Sequence, residues 1–349
     1  MRTVKTIFIA LLALAALGPS TGAQSSLPIS LFERYVELLR QQTGIPGMSA
    51  AIVQDGRIVW DKGFGYQEVA GLVAASADTP YPIFDLSQTL SSAVLLQQCL
   101  DLSYLELTDR VLRWHPEYAE ASTTVAQLLS HVSPSGGFQY DASRFAELTR
   151  VLEQCSSERY PRLLADQILD RLAMTTSVPG ADLGDAASPA RSLFSSGVLE
   201  RYSAVLSRQA IPYSVDSRGR PTRSDAPSGT LSASTGVVST VRDLARFDAA
   251  LGDGVLLEPG TLSRAWEPIN SMPTGLGWFV QSHNGERIVW HFGLARGAYS
   301  SLLIKVPSRG LTLILLANSD GLAGPFYNLS DGSLTSNLFV RLFLGLFVG

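Results

Sequence analysis

The amino-acid sequence predicts an α+β fold, with strand-forming runs near both ends of the chain and helical runs between them. Three observations carry that reading. Asp55-Gly56 separates two apolar-rich runs, Met48–Val53 and Arg57–Gly63, a strong β-hairpin signal. Leu86, Leu90, Ala93, Val94, Gln97 and Leu100 recur at three-to-four spacing and predict a buried helix over about 86–100. The last third carries four strand-like runs, Gly275–Trp278, Arg287–His291, Ala298–Lys305 and Leu311–Ala317. Asn284-Gly285 and Ser308-Arg309-Gly310 supply turns between them.

From the N-terminus, Arg2 and Lys5 precede an apolar core, Ile7–Leu17, and small residues up to Ala23. This pattern predicts a signal peptide over 1–23 and an exported product, periplasmic or secreted. The apolar run is too short for a membrane anchor. Removing Arg2 and Lys5 takes the formal charge from −4 to −6. Such a chain lacks the basic footprint that nucleic acid or anionic lipid requires.

Leu31, Tyr35, Leu38 and Leu39 mark an amphipathic helix that Gly44-Ile45-Pro46-Gly47 breaks before the hairpin. Asp85 stands before the central helix with Gln88 three residues on, which predicts a variant capping box. Residues 176–230 read as loops around a short helix near Ser196–Gln209, with Arg218, Arg220 and Arg223 solvated. Thr240 is placed to cap a helix over Val241–Phe247. A last helix, about Leu334–Phe347, is expected to cover the sheet with Leu338, Leu342 and Phe343; Arg341 and its length argue against a membrane span. Export permits a bridge between the two cysteines, Cys99 and Cys155, which the sequence cannot place within bridging range; of the two readings it favours small buried thiols. Four scattered histidines, His115, His131, His283 and His291, offer no metal-ligand spacing, and no cofactor is expected.

The segment Thr79-Pro-Tyr81-Pro-Ile83-Phe-Asp85-Leu-Ser-Gln88-Thr resembles the Thr-x-Phe/Tyr-x-Ile-Gly/Ala-Ser-x-x-Lys-Thr signature of serine β-lactamases and penicillin-binding proteins, particularly the class C and esterase branch. Further landmarks follow in order. Leu128-Leu129-Ser130-His131 is similar to a structural turn of that family, which implies packing or backbone hydrogen bonding for His131 rather than catalysis. Tyr140-Asp-Ala142 resembles Tyr-Ser-Asn, with Ala142 where the asparagine stands. His291-Phe-Gly293 resembles the His/Lys-x-Gly of the strand that edges the cleft, whose backbone helps hold the acyl oxygen.

The resemblance implies an antiparallel sheet flanked by N- and C-terminal helices, with a mostly helical part inserted. The chain after residue 23 then forms one β-lactamase-related domain, its α/β part about 28–83 and 255–349 and its helical part about 84–254. Tyr140 follows His131 by only nine positions, which implies a shortened rim and an open groove.

The family's nucleophile and its lysine fall on Asp85 and Gln88. Neither replaces its counterpart: the acyl product of Asp85 with an amide or ester substrate would be a mixed anhydride, and the Gln88 amide does not titrate. Past the signal the only lysines are Lys62 and Lys305, far along the sequence from Asp85. The expectation is therefore a pseudoenzyme whose cleft binds a peptidoglycan-like peptide, a lactam or a protein partner. The positions matching the family site are Asp85, Gln88, Tyr140, Ala142, His291 and Gly293. An alternative is a hydrolase with rearranged residues, Asp85 or Tyr140 serving as base and His291 as polar partner. A third reading leaves Asp85 and Gln88 as a helix cap alone.

Overall fold

Asp55 and Gly56 both take left-handed backbone, φ 50° and 73°, and turn β1 (Gly47–Gln54) into β2 (Arg57–Glu68). Two positive φ values in a two-residue loop match the strand twist, which is why this dipeptide makes the hairpin. The computed structural model describes residues 27–225, 230–324 and 327–349, so the signal predicted over 1–23 lies outside the described residues. No described helix is long and apolar enough to cross a membrane.

The strands continue with β3 (Val73–Ala74), β4 (Tyr81–Pro82), β5 (Tyr213–Val215), β6 (Pro221–Arg223), β7 (Val238–Ser239), β8 (Phe279–His283), β9 (Glu286–Ala295), β10 (Tyr299–Val306) and β11 (Leu311–Ala317). Seven form one antiparallel sheet in the order β3-β2-β1-β11-β10-β9-β8, which joins the N-terminal hairpin to the C-terminal strands through β1 and β11. The helices are α1 (Leu27–Gln42), α2 (Ser87–Leu95), α3 (Val125–Leu129), α4 (Ala142–Ala146), α5 (Leu148–Ser156), α6 (Tyr160–Leu164), α7 (Ser196–Leu206), α8 (Val241–Gly252), α9 (Pro259–Ala265) and α10 (Leu338–Phe347).

Strand periodicity divides the core in two. Ala50, Ile52, Leu302, Ile304, Leu313 and Leu315 face α1 and α10, where they meet Phe32, Val36, Phe339 and Phe343. The alternate residues Ala51, Val53, Leu303, Ile314 and Leu316 face the helical part and meet Leu90, Val94, Phe247 and Leu251. Thr240 caps α8 as expected, its side chain accepting from the Asp243 amide at 3.1 Å.

Three expectations are corrected. The buried stripe of α1 is Ile29, Phe32 and Val36, while Tyr35 and Leu38 remain 46% and 50% exposed. Apolar residues lie on both sides of this helix, and the aromatic contacts of Phe32 with Trp60, Phe343 and Phe347 select the face. Gly275–Trp278 is not strand, because Gly277 at φ 76° packs its backbone on Ser92 and donates to the Leu129 carbonyl at 2.7 Å. Pairing begins at Phe279.

The third correction concerns the cysteines, which form a disulfide with their Cα atoms 6.0 Å apart. Cys99 sits in the π turn Leu96–Leu100 that prolongs α2, and this turn packs on α5, which carries Cys155. The bridge spans a sequence separation of 56 residues. Removing it with Cys155→Ser is expected to cost about 2–4 kcal/mol, chiefly through loop-closure entropy. A thermal melt of the variant against the oxidised parent, with a thiol count of the parent, checks this; equal melting temperatures would contradict it.

Candidate functional site

The site begins where the segment before α2 meets the sheet. Pro82 pairs with Val238, and the Ile83 amide donates to the Val237 carbonyl at 2.9 Å. The Ile83 carbonyl then accepts from Ser301 Oγ at 2.9 Å and lies directly over Gly293 of β9. A β-carbon on residue 293 would overlap that carbonyl, so glycine is required here for close approach. Phe84 follows at φ 46°, a conformation costly for a bulky residue, at the position where the family pattern has Gly or Ala. A 3-10 turn over Phe84–Leu86 leads into α2.

Asp85 is not the cap of that helix. The turn makes Leu86 the residue before α2, and no side chain caps its first amides. The Asp85 carboxylate instead accepts from the Leu294 amide of β9 at 3.4 Å, from its own amide and from the Tyr140 hydroxyl. Two backbone N–H groups converging on one oxygen-bearing group is the geometry of an oxyanion hole. Burial is the largest influence on Asp85 and raises its pKa to about 6 against the pull of those donors, although part of the residue still meets solvent.

Gln88 is fully buried and leads back into the helical part. The Asp141 amide donates to His131 Nδ1 at 3.1 Å, which leaves the ring proton on Nε2. Nε2 donates to Gln88 Oε1 at 2.8 Å, and Gln88 Nε2 donates to the Tyr140 oxygen at 3.2 Å. Tyr140 is then free to donate to Asp85. Every donor in the chain points toward the carboxylate. Burial lowers the His131 pKa to about 3 and pushes the Tyr140 hydroxyl well above its ordinary value, so both stay neutral. Tyr140 is set by ring contacts with His131, Phe279 and Phe292.

The remaining predicted positions fall around this chain. His291 is buried on β9, its Nδ1 2.8 Å from the Phe292 carbonyl, and burial lowers its pKa to about 4. Ala142 opens α4 next to Asp141, whose carboxylate caps the Ser143 and Arg144 amides. His131 was expected only in a structural turn; its Nδ1 does accept a backbone bond, but its Nε2 also enters the site. Asp85 and Tyr140 each keep partial exposure.

The serines near Asp85 have other duties. Ser87 Oγ accepts from the Val237 amide, Ser91 donates to the Ser87 carbonyl, and Ser92 donates to the Leu276 carbonyl. Lys62 pairs with Glu33, and Lys305 pairs with Asp248 at 2.9 Å.

The Beta-lactamase family model matches residues 32–330. The human "Serine beta-lactamase-like protein LACTB, mitochondrial" is 28% identical over 116 residues, 31% of this chain and 21% of that protein. "Protein flp" of Staphylococcus aureus N315 is 29% identical over 133 residues, 34% of this chain and 26% of that one. The matched stretches thus span about a quarter or less of these relatives' lengths. Among solved structures, the octameric penicillin-binding protein homologue from Pyrococcus abyssi superposes with a TM-score of 0.71 at 18% identity, covering 91% of this chain and 77% of that chain. The D-amino acid amidase from Ochrobactrum anthropi SV3 gives 0.69 at 17% identity, covering 90% and 98%. At such identities the structural likeness is one of fold.

The raised Asp85 pKa has a stability consequence. A carboxyl whose folded pKa lies above its unfolded value favours folding fully below the unfolded value, and that contribution is lost as pH rises through about 6. Asp85→Asn is therefore expected to stabilise the protein by roughly 1–3 kcal/mol near pH 8, with the difference vanishing near pH 4. Paired melts across this range check it, and subtraction removes the acid destabilisation that neutral buried His131 and His291 impose on both proteins. Gly293→Ala is expected to lose several kcal/mol, on the scale of a severe core clash; a melting temperature within a degree or two of the parent would contradict the close approach.

Proposed function

The chain belongs to the β-lactamase family, and from that premise we propose that it is a pseudoenzyme, a member that has lost covalent acyl transfer and keeps its cleft for non-covalent binding. The observation that carries this reading is the Asp85 carboxylate resting on the Leu294 amide, where a reactive group and its oxyanion would need to be. Gln88 adds to it: its amide is fixed between His131 and Tyr140 and has no titrating group to take a proton. The cleft's ligand on this reading is a peptide- or lactam-like molecule, or a partner protein presenting such a group. Export is part of the same proposal. Residues 1–23 have the composition of a signal, and the Cys99–Cys155 bridge suits an oxidising compartment.

A second reading has one observation in its favour. A part-exposed carboxyl with a pKa of about 6 is suited to act as a general base on water. It predicts turnover of nitrophenyl esters that collapses in Asp85→Ala.

The pseudoenzyme reading predicts that purified protein incubated with a fluorescent penicillin and with a fluorophosphonate probe gains no stoichiometric adduct by intact mass. It also predicts no ester turnover that depends on Asp85. A single adduct that disappears on substitution of one cleft residue would overturn it.

A further inference from the structure

We propose that the cleft takes a ligand bearing a protonated amine, which the Asp85 carboxylate receives; this rests on the reading of the cleft as a non-covalent binding site. A carboxylate offers about four acceptor positions. Three donors reach this one from within the protein: the Leu294 amide, the Asp85 amide and the Tyr140 hydroxyl. Acceptor capacity remains, and the residue is part-exposed.

No basic group is among the influences on the Asp85 carboxyl. Among the described residues, Lys62 is paired with Glu33, Lys305 with Asp248 and Arg144 with Glu120. His131 and His291, the two imidazoles of the site, are held neutral by burial. The other carboxylate nearby, Asp141, is spent on the amides that open α4. The described residues hold no group of three metal-binding side chains, so a divalent cation has too few ligands here. A single cation with N–H donors fits what is left.

The same arrangement works against the family's acidic ligands. The amides that would receive an acyl oxygen are filled by the protein's own carboxylate, and an approaching anion meets a like charge. The cleft has exchanged its preference from an acceptor-bearing acyl group to a donor-bearing ammonium.

The test is calorimetric titration of the full chain at about pH 7.5 with benzylammonium, benzyl alcohol and benzoate, three probes of similar shape and different charge. Benzylammonium is expected to bind at least about tenfold more tightly than benzyl alcohol, with benzoate weakest. Asp85→Asn is expected to reduce benzylammonium to the level of the alcohol. Lowering the pH to about 5 is expected to do the same to the parent and nothing to the variant. Across that interval Tyr140, His131 and His291 stay neutral and Asp141 stays charged, so of the titrating groups named at the site Asp85 alone changes state. Should the variant fail to fold, the pH arm decides. Equal or tighter binding of the alcohol or of benzoate would overturn the proposal and leave the non-covalent cleft standing. Undiminished benzylammonium binding in Asp85→Asn or at the lower pH would also overturn it. Failure of all three probes to bind the parent would overturn both.

Discussion

The contact between the Ile83 carbonyl and the α-carbon of Gly293 sets the rest of the site. It joins the segment entering α2 to β9, with Ser301 holding the carbonyl from β10. No side chain fits between them. Because the backbones meet this closely, residue 85 arrives beside the Leu294 amide, and the segment entering the helical part is locked to the sheet there. The left-handed Phe84 is a consequence of the same approach: the chain must turn sharply between a strand pairing with β7 and a helix running into the core.

On this frame the site has become a collector of donors around one negative charge. His131, Gln88 and Tyr140 form a single file of hydrogen bonds whose direction is fixed at its far end by the Asp141 amide, which can only donate. A lysine at 88 would reverse the proton economy of this file; an amide can only relay polarity. Burial keeps the imidazoles and the phenol neutral, so the carboxylate faces dipoles and not counter-charges. Its pKa of about 6 reflects that balance, in which desolvation outweighs three hydrogen bonds.

Local conformation was legible in the sequence wherever one residue type answers one backbone demand. Asp55-Gly56 announces its hairpin by tolerating positive φ, and Thr240 announces α8 by offering an acceptor to orphan amides. The order of family landmarks gave the architecture and brought 85, 88, 140 and 291 into one neighbourhood. What spacing could not give was direction. Asp85 looked like a cap because Gln88 is three residues away, whereas its actual partner, Leu294, is 209 residues away. His131 joins Gln88 across 43 residues, and Cys99 finds Cys155 across 56, contacts that only packing creates. The face of α1 was misplaced because both its sides carry apolar residues and the choice lies with aromatic partners on β2 and α10.

The family scaffold is therefore present where it positions groups, with a carboxylate at residue 85 and an amide at residue 88. A carboxylate held by backbone donors stands at residue 85, and the proposed loss of chemistry and gain of cation recognition both rest on that group in its setting. The most direct measurement is a carboxyl-detected NMR titration, with Asp85 assigned by comparison with Asp85→Asn and the Leu294 amide followed in the same samples. The account predicts a carboxyl midpoint near 6 and a Leu294 amide shift that tracks it. A midpoint near the ordinary aspartate value, with a Leu294 amide indifferent to it, would contradict the account.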